Sequence, residues 1–113
     1  MAVKKSGDTS FVQFVVDQLA GIEGIRYRPM FGGFGLYCGS NFFGIVAEDR
    51  VYFKTNDATR QEYEAAGMKP FRPTTKQTLK NYMEVPPDAL EDAGELLRLA
   101  ESAVVIARTC DIC

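Results

Sequence analysis

GLYCGSNFFGIVAEDRVYFK, residues 35–54, decides the fold. Its apolar and aromatic residues fall into three short runs, Gly35–Cys38, Phe42–Glu48 and Val51–Lys54. Runs of this length, rich in Phe, Tyr, Val and Ile, read as strands. The residues CGSNF between the first two, and EDR between the second and third, supply turn chemistry. Links this short demand antiparallel hairpins, because a parallel crossover takes about a dozen residues or more.

Just upstream, RPMFGGFGLY (28–37) packs three glycines among aromatics. Read as a dinucleotide fingerprint it fails. From Gly33 the spacing gives Gly33, Gly35 and then Cys38 where a third glycine belongs, and it leads into a strand instead of a helix. No Gly-Lys-Ser/Thr occurs either, so there is no P-loop. The glycines are therefore expected to be structural. Gly32 and Gly33 would permit a sharp bend or a positive φ, and Gly35 a close approach by a backbone or a bulky ring.

Farther upstream, Phe11, Phe14, Val15, Leu19 and Ile22 recur at helical spacing. Asp8, Thr9 or Ser10 would cap that helix and Gly21 and Gly24 would end it, with residues 1–7 a loose tail. Downstream, Asn56 or Asp57 caps a second helix to roughly Ala66, stopped by Gly67. KPFRPTT (69–75) is extended, and its prolines favour a sheet edge. TLKNYMEV (78–85) alternates, with Leu79, Met83 and Val85 on one side and Lys80, Tyr82 and Glu84 on the other. Pro86 and Pro87 break it. Asp88 with Glu91 gives a capping-box-like start to a last helix with a stripe of Leu90, Ala93, Leu97, Ala100 and Val104, running to about Ala107. The order α-β-β-β-α-β-β-α predicts a two-layer α+β domain: one antiparallel sheet with helices on one face. The 113 residues read as one domain with its core over about 8–107 and a second loose tail at 108–113.

Composition narrows the function. No segment approaches the ~20 apolar residues of a membrane span. The N-terminus has two lysines without an apolar run behind them, so the cytoplasm is the expected location. A net charge of −2 argues against strong non-specific nucleic-acid binding. Basic residues nevertheless gather from Lys54 to Lys80, and acidic ones from Glu84 to Glu101. The chain has no histidine, which removes Ser-His-Asp and Cys-His catalysis. Of the three cysteines, Cys110 and Cys113 form a C-x-x-C behind a helix C-terminus, where the dipole opposes a thiolate. With Cys38 as the sole further thiol, a four-ligand zinc site is not expected, nor is any cofactor. Two surface groupings stand out. Arg26, Arg28 and Lys54 would form a cationic cluster with Tyr37, Tyr52 and Tyr82 if the sheet gathers them. Glu48, Asp49 and Glu84 are the candidate carboxylates.

Three blocks together carry a family resemblance: RPMFGGFGLY, then FFGIVAEDRVYFKTNDATRQEYEAAGMKPF, then NYMEVP. The chain from about residue 11 to 107 resembles the N-terminal domain of the TfoX/Sxy family. The matching positions include Arg28, Met30, Phe31, Gly32, Gly33, Gly35, Tyr37, Lys54, Gly67 and Tyr82. The resemblance implies a two-layer α+β fold similar to type III secretion chaperones. It also implies a regulator of natural competence, acting as a transcriptional co-activator with a cyclic-AMP-responsive DNA-binding protein. Longer members carry a C-terminal helical domain that these residues do not include, and activity owed to it is not implied. Pro29, inside the Arg-Met-Phe start, and FRP after Pro70 depart from the family pattern.

The leading expectation is a non-enzymatic module that binds a protein partner, with nucleic acid touched only indirectly and no membrane. A homodimer is compatible with it. The partner-binding candidates are Arg28, Met30, Phe31, Gly32, Gly33, Lys54 and Tyr82, with Gly32, Gly33 and Gly35 as structural glycines. Two alternatives stay open: a direct nucleic-acid binder using the 54–80 basic run, and a small-ligand module or enzyme using the glycine and arginine region.

Overall fold

The computed structural model describes residues 10–30, 33–74 and 77–110. Their elements, in chain order, are α1 (Ser10–Gln18), β1 (Ile25–Met30), β2 (Gly33–Cys38), β3 (Asn41–Ala47), β4 (Arg50–Lys54), α2 (Asp57–Ala65), β5 (Pro70–Thr74), β6 (Gln77–Glu84), α3 (Pro87–Leu90) and α4 (Ala93–Cys110). The strands form one six-stranded sheet in the order β1-β2-β3-β4-β6-β5, every neighbouring pair antiparallel. The fold is the expected α+β sheet with its helices on one face. It differs from the sequence reading by one added strand and a divided last helix.

The added strand is β1. Ile25 and Tyr27 alternate with Arg26 and Arg28, and the apolar pair packs against the core while both arginines are exposed. Pro29 is tolerated because β1 is an edge. Pro70 opens β5, the other edge, where the proline-rich segment was expected to lie.

The β3–β4 hairpin closes at Ala47 and Arg50, so Glu48 and Asp49 form a two-residue turn. Their φ values are +53° and +65°. Positive φ at both central residues makes this a type I′ turn, whose twist matches that of the strands it joins.

One face of the sheet carries the main core. Leu36, Phe43, Val51, Phe53, Met83 and Val85 pack there beneath Val12, Val15 and Leu19 at α1 and Leu96, Ala100, Ala103 and Ala107 of α4. Of the stripe expected on the last helix, Ala100 and Val104 are buried, Leu90 and Leu97 are partly buried and Ala93 is exposed, and Leu96, Ala103 and Ala107 complete the buried side. Phe14, expected in the helical stripe of α1, is 42% exposed. It stacks on Phe11 with centroids 6.3 Å apart.

The divided last helix has a local cause. D-x-x-E occurs twice, at Asp88–Glu91 and at Asp92–Glu95. The second copy starts the long helix: Glu95 N donates to Asp92 Oδ1 at 3.1 Å and Leu96 N to Asp92 O at 2.9 Å. The first lies in α3, which opens from Pro86 without a side-chain cap. At its far end α4 continues to Cys110, past Ala107. The remainder of the C-x-x-C lies outside the described residues. Asn56 caps α2 through a capping box with Thr59, and α2 is followed by Gly67 at φ +82°.

The parity expected for residues 78–85 holds only in part. Met83 and Val85 are in the main core, but Leu79 joins Tyr82 on the opposite face. The β5–β6 register slips between the Pro70–Met83 and Phe71–Leu79 pairs. A register slip of an odd number of residues exchanges the faces of those that follow it. Among the described residues no helix is long and apolar enough to cross a membrane.

Candidate functional site

The side of the sheet turned away from the helices gathers most of the polar residues singled out in the sequence. Strand register assigns them. Arg26 pairs with Tyr37, Arg28 with Gly35, Gly35 with Ile45, Ile45 with Tyr52, and Lys54 with Tyr82. Directly paired residues in antiparallel strands share a face. Arg26, Arg28, Tyr37, Tyr52, Lys54 and Tyr82 therefore lie on one open face. Three strand spacings separate Arg28 from Lys54, roughly 14 Å. They bracket the face and do not form one tight cluster.

Between them runs a row of rings. Phe42 stands 5.2 Å from Tyr37 and 5.4 Å from Tyr82, centroid to centroid. Lys54 Nζ lies 5.1 Å from the Tyr82 centroid and donates to the Tyr82 hydroxyl at 3.4 Å. This is cation–π geometry. Tyr82, at one end of the row, forms a small second core with Ile45 and Phe71 and is only 8% exposed.

Gly35 is the notch that seats this row. A Cβ there would meet Met30 Sδ at 2.7 Å and Phe42 Cε1 at 2.9 Å. Gly33 answers a different demand. Among the described residues the positive-φ glycines are Gly24, Gly39 and Gly67, so of the two expected uses, a sharp bend or a positive φ, the positive φ is absent at Gly33. A Cβ at Gly33 would instead run into the Val46 carbonyl oxygen and stand 3.1 Å from Ala47 Cα. β3 passes too close for any side chain. Phe31 and Gly32 lie outside the described residues.

At the β4–β6–β5 end of the same face is a pocket of about 470 Å³ that the sequence reading did not assemble. Arg50, Tyr52 and Glu84 reach it from the sheet, Glu48 from the hairpin turn, and Lys69 and Arg72 from the segment entering and forming β5. Two of the three candidate carboxylates, Glu48 and Glu84, thus meet at one pocket. Arg50 Nη1 is 3.7 Å from Glu84 Oε1. Burial raises the pKa of the Tyr52 phenol, the Glu84 charge adds to this and Arg50 opposes it. The available signal was the period-two spacing of Arg50, Tyr52 and Lys54, which puts all three on one face.

Cys38 is a buried free thiol that donates to Glu23 O at 3.4 Å, with Arg108 Nη2 4.0 Å from its sulfur. Among the described residues no cluster of three or more His, Cys, Asp or Glu is disposed to hold a metal ion.

The chain is 35% identical over 57 residues to an uncharacterized 12.7 kDa protein in the trpE 5′ region of Spirochaeta aurantia. That match covers 50% of this chain and 50% of the relative, so the chain spans about half the length of the curated relative it matches. The TfoX N-terminal domain family matches residues 17–107, from the end of α1 through most of α4 and including the entire sheet. The chain belongs to the TfoX N-terminal domain family.

Proposed function

We propose that this chain is a non-enzymatic, competence-related regulatory module that works by protein contact through the open face of its sheet. Family membership supports the regulatory part. The observation that carries the contact part is the row Tyr37–Phe42–Tyr82, flanked by exposed Arg26 and Arg28 and by Lys54. Aromatic residues and arginine are the types enriched in protein interfaces and their hot spots. Base stacking, the alternative use of an aromatic sheet face, needs ring faces open to solvent. Here the rings pack on one another and Lys54 covers Tyr82, which favours a protein partner. Co-activation with a DNA-binding transcription factor belongs to the same proposal.

A photo-crosslinking residue placed at Arg28, and separately at exposed Glu101 on α4, tests this in the native cell. The expected result is a recurrent protein adduct from position 28 only. With that partner in hand, Arg28→Ala should weaken binding by about 2 kcal/mol and change stability by about 0.5 kcal/mol or less. Lys54→Ala should also cost stability, by ~0.5–1 kcal/mol, because it removes the cation–π contact with Tyr82. Equal crosslinking from both positions, or nucleic-acid adducts whose formation falls steeply with salt, would overturn the reading.

A further inference from the structure

We propose that the pocket at the β4–β6–β5 end of the open face binds a small phosphate monoester that also carries hydroxyl groups, the chemistry of a sugar phosphate. Its volume of about 470 Å³ is more than a lone phosphate needs. It falls within the roughly 300–1,000 Å³ typical of small-molecule sites.

The charge arrangement selects the ligand. Arg50, Lys69 and Arg72 line the pocket against two carboxylates, Glu48 and Glu84. Among the described residues, neither Lys69 nor Arg72 has a carboxylate within ion-pair distance. Arg72 Nε donates to the Thr78 hydroxyl at 3.3 Å, which orients the guanidinium without neutralising it. The Arg50–Glu84 pair is at 3.7 Å, beyond direct hydrogen-bond length. Guanidinium donors therefore remain for an incoming anion, and a phosphate accepts them in the bidentate geometry that suits arginine.

The carboxylates set the second half of the ligand. Ionised Glu48 and Glu84 can only accept hydrogen bonds. An anion without donors would leave them facing its charge, whereas a hydroxylated ester offers them O–H groups while its phosphate meets Lys69 and Arg72. Tyr52 stays protonated and serves as a neutral donor in the same pocket. The pocket shares the open face with the protein-contact row but none of the residues that flank that row, since its lining does not include Arg28 or Lys54.

Calorimetric titration of the full chain with ribose 5-phosphate, ribose and inorganic phosphate, at matched ionic strength, tests the assignment. Saturable one-to-one binding of ribose 5-phosphate is expected, tighter than either fragment by roughly tenfold or more. Lys69→Gln and Arg72→Gln should each weaken the ester by about tenfold. Glu84→Gln should weaken the ester and leave inorganic phosphate unchanged or tighter. Glu101→Gln, on α4 across the sheet, should change nothing. No saturable binding, equal affinity for inorganic phosphate and the ester, or indifference to Lys69→Gln in a protein with unchanged circular dichroism would overturn the proposal. Lys69 is exposed, so its variant is informative even if Arg72→Gln fails to fold.

Discussion

The two faces of the sheet are built from the same strands and differ in kind. Toward the helices stand Leu36, Phe43, Val51, Phe53 and Met83, each at most 1% exposed and sealed by α1 and α4. Away from them stand Tyr37, Phe42, Tyr52, Tyr82 and Lys54, which shield one another and which no helix among the described residues covers. Period-two alternation writes both surfaces into one strand: in Arg50–Lys54, Val51 and Phe53 face the helices while Arg50, Tyr52 and Lys54 face outward. The contrast assigns stability chiefly to the helix side, and we propose recognition for the other.

The sharpest way to break that contrast is to remove one phenylalanine from each side. Phe53→Ala should cost ~3–5 kcal/mol, the usual range for emptying a buried aromatic site. Phe42→Ala, at a half-buried ring, should cost about 1–2 kcal/mol. Urea unfolding of both variants measures the difference. Equal losses would make the outward face as much a core as the inner one.

Next in size are the glycines that let the strands approach each other. Gly33→Val drives a side chain into the backbone of β3, which cannot step aside. A loss of about 1–3 kcal/mol is expected, as for overpacking elsewhere. At Gly35 the first obstacle is the flexible end of Met30. Gly35→Ala should therefore lower the melting temperature less, while disturbing the row through Phe42. Near-ultraviolet circular dichroism separates the two effects.

The smallest effect is a titration. Tyr63 of α2 lies in the helix-side core, where burial pushes its phenol well above the ordinary value and Glu62 adds to the rise. Its folded pKa exceeds the unfolded one, so its contribution is fully present below about pH 10 and is lost as pH climbs from there toward the folded value. The slope is ~1.4 kcal/mol per pH unit for one such group. Tyr63→Phe should flatten the loss of stability between about pH 9 and 11. Tyr52→Phe, on the more open side, should flatten it less. Urea midpoints across that range give the comparison, and a larger effect at Tyr52 would reverse the ranking of the two environments.

Much of the architecture was legible because its signals are local. The three runs of residues 35–54, the Asn56 cap and Gly67 stop of α2, and the edge position of the Pro70 segment each follow from neighbours in sequence. β1 was missed although Ile25 and Tyr27 alternate with two arginines, because Pro29 reads as a breaker until the strand is known to be an edge. The start of α4 was misplaced because Asp88-x-x-Glu91 and Asp92-x-x-Glu95 carry the same pattern, and only packing chooses between them. Leu79 changed faces through a register slip that no periodicity announces. The open face was partly legible, since the tyrosines and cations could be named but not their pairing. The pocket was not, because Arg50 and Glu84 are 34 positions apart and meet only when β4 pairs with β6.

The prolines at the two margins of the sheet also bear on what happens when many copies crowd together. A bare strand edge is a template on which further strands can grow, from one molecule to the next, into fibres. Pro29 in β1 and Pro70 in β5 each lack the amide hydrogen that such growth needs. A newcomer aligned on either margin meets a missing rung within the first few residues. The sheet is terminated chemically at both ends, so strand-by-strand polymerisation has no continuous ladder to follow.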